Sequence, residues 1–211
     1  MKYFLRLIVL ILFLSSNILL LAEDSPRNYL KGKFYSSVKN NFLVATDKMR
    51  DNRFSKTVIV MLENDSDGAW GLVINKFIGE MPVGLLMDPS LNTEEEREKL
   101  FAINIPVYWG GPVEVREIFI LHSPEYESTS TINYGDISIT KDYKILFDIA
   151  DNNGPEKSLV ISGYSGWGSG QLEGEMDKNH WDLSEIDADL IFKTDNDKKW
   201  LKAIKNSYIR L

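Results

Sequence analysis

The pattern of apolar and polar positions divides the chain into three parts. Residues 1–22 place Lys2 and Arg6 ahead of a short, nearly continuous apolar run. A basic start followed by an apolar core predicts a secretory signal peptide, or an uncleaved N-terminal membrane anchor. Residues 23–41 are polar and are predicted to form a linker. Residues 42–211 carry the mixed apolar pattern of a single folded domain.

Within that domain, short apolar runs predict strands and longer amphipathic stretches predict helices. Predicted strands lie at 42–46, 57–62, 69–76, 106–109, 117–122, 158–162 and 188–192, with further strand or turn structure at 129–133 and 136–139. Predicted helices lie at 81–87, 93–100, 141–151 and 197–208, and another opens near Gln171. Because strands and helices intermix without regular βαβ alternation, the sequence predicts one α+β domain.

The segment 158–176, SLVISGYSGWGSGQLEGEM, is the most unusual stretch of the chain. Its apolar start predicts a strand, and glycines then occupy positions 163, 166, 168 and 170. Glycine loses more backbone entropy on folding than other residues, so this density is costly unless positive φ or close backbone approach is needed. We therefore predict a loop with accessible main-chain N–H groups, ending at a helix N-terminus that favours an anion.

The glycine spacing differs from known catalytic and phosphate-binding motifs. A dinucleotide fingerprint needs its third glycine one residue later, and the Lys-Ser/Thr of a Walker loop is missing. Ser165 lies in GYSGW, whereas a nucleophile elbow requires glycine two residues after the serine. A hydrolase would have to use His122 as its base, with Ser123 or Ser165 as nucleophile. The competing interpretation is a structural, hydrogen-bonded His122 at a strand end.

Composition restricts the chemistry further. The chain contains no cysteine and two histidines, so thiol chemistry and zinc-cysteine sites are excluded. We predict no metal and no other cofactor. The net charge of −7 opposes binding to a phosphate backbone, so direct nucleic-acid binding is not expected. Contact with a membrane is expected only through residues 1–22.

These observations favour a non-enzymatic binding or regulatory module that takes a small anion or a partner peptide. The candidate ligand-binding residues are Asn75, Lys76, Gly110, Gly111, His122, Gly163, Gly166, Trp167, Gly168, Gly170 and Gln171. The glycines would expose main-chain groups, whereas Asn75 and Lys76 would offer an amide and a cation. The alternatives are the hydrolase described above and a scaffold that acts through oligomerisation.

Six blocks of sequence resemble, in order, the YqgE/AlgH family of bacterial proteins. They are 42–49 (FLVATDKM), 53–63 (RFSKTVIVMLE), 68–76, 108–113 (YWGGPV), 119–123 (FILHS) and 163–176. The resemblance extends from residue 42 to the C-terminus. It implies an α+β fold in which a bifurcated mixed sheet contains a small barrel surrounded by helices. It also implies a proposed role in transcriptional regulation, with no agreed enzymatic activity or cofactor.

Two features of the chain depart from the family pattern. Position 165 is Ser where the family motif usually has Ala, which argues against an essential nucleophile there. The resemblance implies a cytoplasmic protein, whereas residues 1–22 predict export to the periplasm or anchoring in the inner membrane. Export would exclude a direct transcriptional role for this member.

Overall fold

The computed structural model describes residues 38–87 and 93–208. Its strands are β1 Asn41–Ala45, β2 Val58–Asn64, β3 Gly68–Val73, β4 Phe77–Pro82, β5 Asn104–Trp109, β6 Val113–His122, β7 Ile132–Asn133, β8 Ser138–Thr140, β9 Ser158–Gly168 and β10 Trp181–Glu185. Its helices are α1 Glu94–Phe101, α2 Lys144–Ala150, α3 Gln171–Asp177, α4 Ala188–Phe192 and α5 Asn196–Lys205, with a 3-10 turn at Val83–Leu85. The predicted signal or anchor at 1–22, and the linker as far as residue 37, lie outside the described residues.

Strand β9 joins the two branches of the sheet. Its first half pairs in parallel with β5 and antiparallel with β6, and its second half pairs antiparallel with β3. Strands β5 and β3 pair with the same edge of β9, β5 along its first half and β3 along its second half, so the sheet divides into two branches there. One branch continues through β3, β2, β1 and β10, and the other adds β4 to β5. The predicted α+β class and bifurcated mixed sheet are confirmed, and the sheet curls as a half-barrel surrounded by helices.

Apolar clusters cover both faces of the sheet. Successive residues of a strand point to opposite faces, so Phe42 packs under α4 and α5 whereas Leu43 packs on the side of α3. On that second side, Leu172 of α3 contacts a cluster that includes Trp167 and Trp181. The 3-10 turn, α1 and α2 cover the remaining branch. No helix within the described ranges is long and apolar enough to span a bilayer.

The segment predicted as a glycine loop is part of β9, which corrects that prediction. Gly163 and Gly170 do have positive φ, at 71° and 72°. Gly163 lies at an irregularity of the strand, and Gly170 is the N-cap residue of α3. Gly166 and Gly168 lie in regular register opposite Trp70 and Gly68 of β3. Pairing with β3 therefore holds Gly166 and Gly168 in a strand, although their composition is typical of a loop.

Other local predictions were wrong where a short apolar run had no clear period. Residues 188–192, predicted as a strand, form α4, because Asp187 caps it by accepting from Asp189 N at 2.9 Å and Leu190 N at 3.1 Å. Residues 81–87, predicted as a helix, contain only the end of β4 and the 3-10 turn. Strand β10 was not predicted.

Candidate functional site

The predicted ligand-binding residues fall in separate places. One group lies where the C-terminal ends of β3 and β5 meet the middle of β9, and consists of Asn75, Lys76, Gly110, Gly111 and Gly163. A second group lines open clefts beside β9, and consists of Gly166, Trp167 and Gln171. Gly168 and Gly170 connect β9 to α3, and His122 ends β6.

The side chains of Asn75 and Lys76 are engaged within the protein. Asn75 Oδ1 accepts from Val58 N at 2.9 Å, and its Nδ2 donates to Lys56 O at 2.8 Å. Lys76 Nζ donates to Ser55 O at 2.9 Å. Both side chains thus bind the backbone of the connection between β1 and β2, and their clear role is to hold that connection in place.

The glycines of the first group permit close approach of two backbones. A Cβ on Gly110 would lie 2.1 Å from Gly163 O, and one on Gly111 would lie 2.1 Å from Tyr164 O. Those neighbours are main-chain atoms, which cannot rotate away as a side chain can. The connection between β5 and β6 therefore crosses β9 only because these positions lack side chains.

His122 lies at the opposite end of β9 from Ser165. It pairs with Ser158, and seven further residues at ~3.3 Å each place Ser165 roughly 20 Å away. His122 is fully buried, its Nδ1 lies 2.8 Å from Ser123 O, and burial lowers its pKa. Ser165 Oγ donates instead to Gly110 O at 2.9 Å. Within the described residues neither serine hydroxyl bonds to His122, so the geometry gives the hydrolase alternative no support.

A cleft of about 540 Å³ opens beside the turn between β2 and β3. The rings of Trp70, Phe119 and Tyr164 form one wall, with centroids 5.7 to 6.0 Å apart in tilted and edge-on contacts. Trp70 Nε1 donates to Glu63 Oε2 at 2.9 Å, which fixes the indole against that carboxylate. We call this the aromatic cleft. Gly166 and Trp167 complete its lining on β9.

Negative charge predominates around the aromatic cleft. Its carboxylates are those of Glu63, Asp65, Asp67 and Glu114. Its one amine belongs to Lys141, whose Nζ lies 4.6 Å from the ring centroid of Phe119 and 2.9 Å from Glu117 Oε1. This contact places a cation of the protein itself over one ring of the aromatic wall.

A second cleft, of about 380 Å³, shares Gly166 and Trp167 with the aromatic cleft. One carboxylate organises it: Glu175 Oε2 accepts from Trp167 Nε1 at 3.0 Å and from Trp181 Nε1 at 2.7 Å. Glu175 Oε1 accepts from Gln171 Nε2 at 3.1 Å. We call this the indole cleft. The Glu175 carboxylate is occupied by neutral donors that belong to the protein, and the other carboxylate of the cleft, Asp51, is paired with Arg53.

The indole cleft continues into a chamber of about 550 Å³, which we call the basic chamber. It is lined by Lys48, Arg50, Lys178 and His180, of which the last three also line the indole cleft. Two hydrogen bonds tie the contributing segments together: Thr46 N donates to His180 O at 3.0 Å, and Thr46 Oγ1 donates to Asn179 O at 2.6 Å. Cations from two distant parts of the sequence are thereby brought around one cavity.

Sequence reasoning identified the β9 residues of the clefts but missed the side chains that give them their character. A local signal for the aromatic cleft exists, because the strands predicted at 57–62 and 69–76 flank an acidic turn, and their pairing places Glu63 opposite Trp70. Phe119 and Tyr164 reach the same wall only through the pairing of β6 with β9. The basic chamber has no local signal, since its residues are separated by well over a hundred positions.

Comparisons with known proteins match most of this chain. The model of a protein family described as AlgH-like matches residues 42–211. A UPF0301 protein of Methylococcus capsulatus is 36% identical over 180 residues, which cover 84% of this chain and 95% of that protein. A UPF0301 protein of Vibrio cholerae is 39% identical over 171 residues, which cover 80% and 91%.

Two solved structures are similar to this one. The solution structure of AlgH from Pseudomonas aeruginosa has a TM-score of 0.66 and 33% identity, covering 80% of this chain and 88% of that one. A crystal structure of a Corynebacterium diphtheriae protein has a TM-score of 0.60 at 13% identity, covering 82% and 88%. The second likeness extends to the fold alone.

Proposed function

The chain belongs to the AlgH-like family. Because resemblance to this family implies a regulatory role without an agreed enzymatic activity, we propose that the protein is a non-enzymatic binding module. Its aromatic cleft binds a positively charged segment of a partner peptide or protein. The observation that carries this proposal is the wall formed by Trp70, Phe119 and Tyr164 beneath a rim of carboxylates. Regulation would then act through protein contact, which suits an acidic chain better than contact with DNA.

Charge and ring geometry both favour a cationic ligand in this cleft. A Lys or Arg over an aromatic face gains about 0.5–2 kcal/mol, and an exposed ion pair adds about 0.2–1 kcal/mol. One basic side chain that makes both contacts gains about 1–3 kcal/mol, a factor of roughly 5 to 150 in Kd. The small anion predicted from sequence does not suit this cleft, because the surrounding carboxylates would repel it.

An extended peptide suits the cleft better than a single small cation. The cavity of about 540 Å³ is much larger than one ammonium group. Beside it, β6 pairs with β9 up to Val113 and Tyr164, and the exposed Gly166 follows on that edge of β9. Main-chain groups at a strand edge can pair with an added extended segment while its side chains enter neighbouring pockets. Glu114, which lines the cleft, has a left-handed φ of 44°, and such strain clusters at functional sites.

Isothermal titration calorimetry with tetralysine amide and tetraglutamate tests the proposal. We expect tetralysine to bind and tetraglutamate not to bind, with an affinity that falls as salt is added. Glu63→Gln and Asp67→Asn should each raise the Kd for tetralysine about three- to fivefold. Glu94→Gln, an equal loss of charge on the exposed face of α1, is the matched control. Equal tetralysine affinity in the cleft variants, the control and the wild type would contradict the proposal.

We further propose that the module works outside the cytoplasm. The support is the sequence of residues 1–22, where Lys2 and Arg6 precede an apolar run. Cell fractionation with N-terminal sequencing of the natural protein tests this. Recovery of a chain that still begins at Met1 in the soluble cytoplasmic fraction would contradict both cleavage and anchoring, and would leave a direct transcriptional role open.

A further inference from the structure

We infer that the basic chamber is a second ligand site, which takes a phosphate group, either inorganic phosphate or the head of a phosphate monoester. The chamber is open to solvent, shares Arg50, Lys178 and His180 with the indole cleft, and has no lining residue in common with the aromatic cleft. The inference is independent of the proposed peptide binding.

The charges around the chamber lack partners of opposite sign. Within residues 38–87 and 93–208, Lys48, Arg50 and Lys178 form no salt bridge. Arg53 nearby differs, because its Nη2 lies 2.6 Å from Asp51 Oδ2. Like charges gathered around one cavity repel one another, and this repulsion is relieved when an anion binds between them. In a chain of net charge −7, such a gathering points to a site.

The backbone holds the cationic residues in place before any ligand arrives. The turn after α3 is closed by Asn179 N donating to Met176 O at 2.8 Å and His180 N donating to Glu175 O at 3.1 Å. These bonds also occupy carbonyls at the C-terminus of α3, whose partial negative charge would otherwise oppose an anion. On the facing segment, Lys48 N donates to Thr46 Oγ1 at 3.1 Å. Rigid backbone lowers the entropy that binding must overcome.

The chemistry of the lining residues favours phosphate. An Arg guanidinium binds phosphate oxygens in a bidentate manner, and a Lys ammonium adds a point charge. The adjoining indole cleft, of about 380 Å³, is lined by Phe54, Trp181 and Gln171 and can hold the body of an ester. A phosphate monoester with a flat organic body, such as a nucleoside monophosphate, matches both compartments.

Calorimetry on the full-length protein with inorganic phosphate and with AMP tests the inference. We expect both to bind, with AMP at least about fivefold tighter because its base enters the indole cleft. Arg50→Gln and Lys178→Gln should each raise both Kd values about five- to tenfold. Both side chains are exposed, so the variants should keep the thermal unfolding temperature of the wild type. Lys205→Gln removes the same charge from an exposed position of α5 and should change either Kd less than twofold.

Several outcomes would overturn the inference. Absence of binding of both phosphate and AMP at millimolar concentration would do so, as would equal losses in Arg50→Gln and Lys205→Gln. If phosphate and AMP bind with equal affinity and the variants behave as expected, the phosphate site is supported. The same result would show that the base of AMP does not bind in the indole cleft. Tetralysine binding should be unchanged in Arg50→Gln, so failure here is distinguishable from failure of the proposed peptide site.

Discussion

A buried lysine gives the sharpest stability prediction for this fold. Lys199 of α5 is 2% exposed, and its Nζ donates to Ile74 O at 3.1 Å and lies 5.5 Å from the ring centroid of Tyr108. No carboxylate in the described part of the chain forms a salt bridge with it. Burial therefore lowers its pKa from 10.5 to about 8.

The magnitude follows from proton linkage. A pKa lower by about 2.5 in the folded state makes charged Lys199 about 3 kcal/mol less favourable there than in the unfolded chain. Below pH 8 this penalty is fully present. Between about pH 8 and 10.5 the unfolded chain binds more protons at this site than the folded protein. The contribution of Lys199 to the free energy of unfolding therefore rises with pH across that interval by about 3 kcal/mol.

Lys199→Met isolates this contribution. At pH 7 the variant escapes the penalty of about 3 kcal/mol but leaves Ile74 O without its donor, which costs about 1–3 kcal/mol. It should therefore be as stable as the wild type or up to about 2 kcal/mol more stable. At pH 10.5 only the lost hydrogen bond remains, and the variant should be less stable by about 1–3 kcal/mol.

Urea unfolding followed by circular dichroism at pH 7, 8, 9 and 10.5 measures the difference between the two proteins. The pH dependence of that difference is the deciding quantity, because other groups that titrate are common to both and cancel. Lys205→Met, at an exposed position of the same helix, should show no such dependence. A difference for Lys199→Met that stays constant within about 0.5 kcal/mol would refute the assignment of a lowered pKa to burial.

Three further measurements probe other parts of the fold. Gly110→Ala should lower the free energy of unfolding by about 3 kcal/mol or more, because its Cβ would meet main-chain atoms. The Cβ of Gly168→Ala would meet no atom within 4 Å, so this variant should change the free energy of unfolding by less than about 1 kcal/mol. Equal losses of the two variants in urea unfolding would contradict this. Burial lowers the pKa of His122 below 6.5, so the free energy of unfolding should fall as the pH drops below that value. His122→Leu should remove the part of this decline that His122 causes. Parallel pH profiles of unfolding free energy in the variant and the wild type would contradict this. Burial raises the pKa of Glu173 above 4.5, so Glu173→Leu should stabilise the protein by about 1–3 kcal/mol at pH 7. This gain should shrink towards pH 4.5, where the wild-type carboxyl becomes protonated. A gain that is independent of pH would refute a pKa raised by burial.

Elements whose signals are local were predicted from sequence. A capping box at Thr93 and Glu96 begins α1, within the helix predicted at 93–100, with Glu96 N donating to Thr93 Oγ1 at 3.3 Å. The hairpin of β2 and β3 follows from two apolar runs around an acidic turn. Helix α5 is found within three residues of its predicted ends. In each case the residues that stabilise the element are close together in the chain.

Elements that depend on distant partners were not predicted correctly. Gly166 and Gly168 have the composition of a loop, yet they lie in β9 because β3, almost a hundred residues earlier, supplies the ladder. Strand β10 depends in the same way on pairing with β1. A short segment without a strong period takes its conformation from the neighbours that satisfy its backbone groups.

The sequence by itself determined the α+β class, the absence of cysteine, and the glycine-rich composition of the segment that contains Trp167. Only the tertiary structure decided what surrounds that segment. Because side chains and edges on the two sides of β9 meet different elements, one side acquires aromatic rings with carboxylates and the other acquires indoles leading to lysine and arginine. The charge around a cleft depends on the three-dimensional positions of its side chains, and residues far apart in the chain come together there only once the sheet has formed.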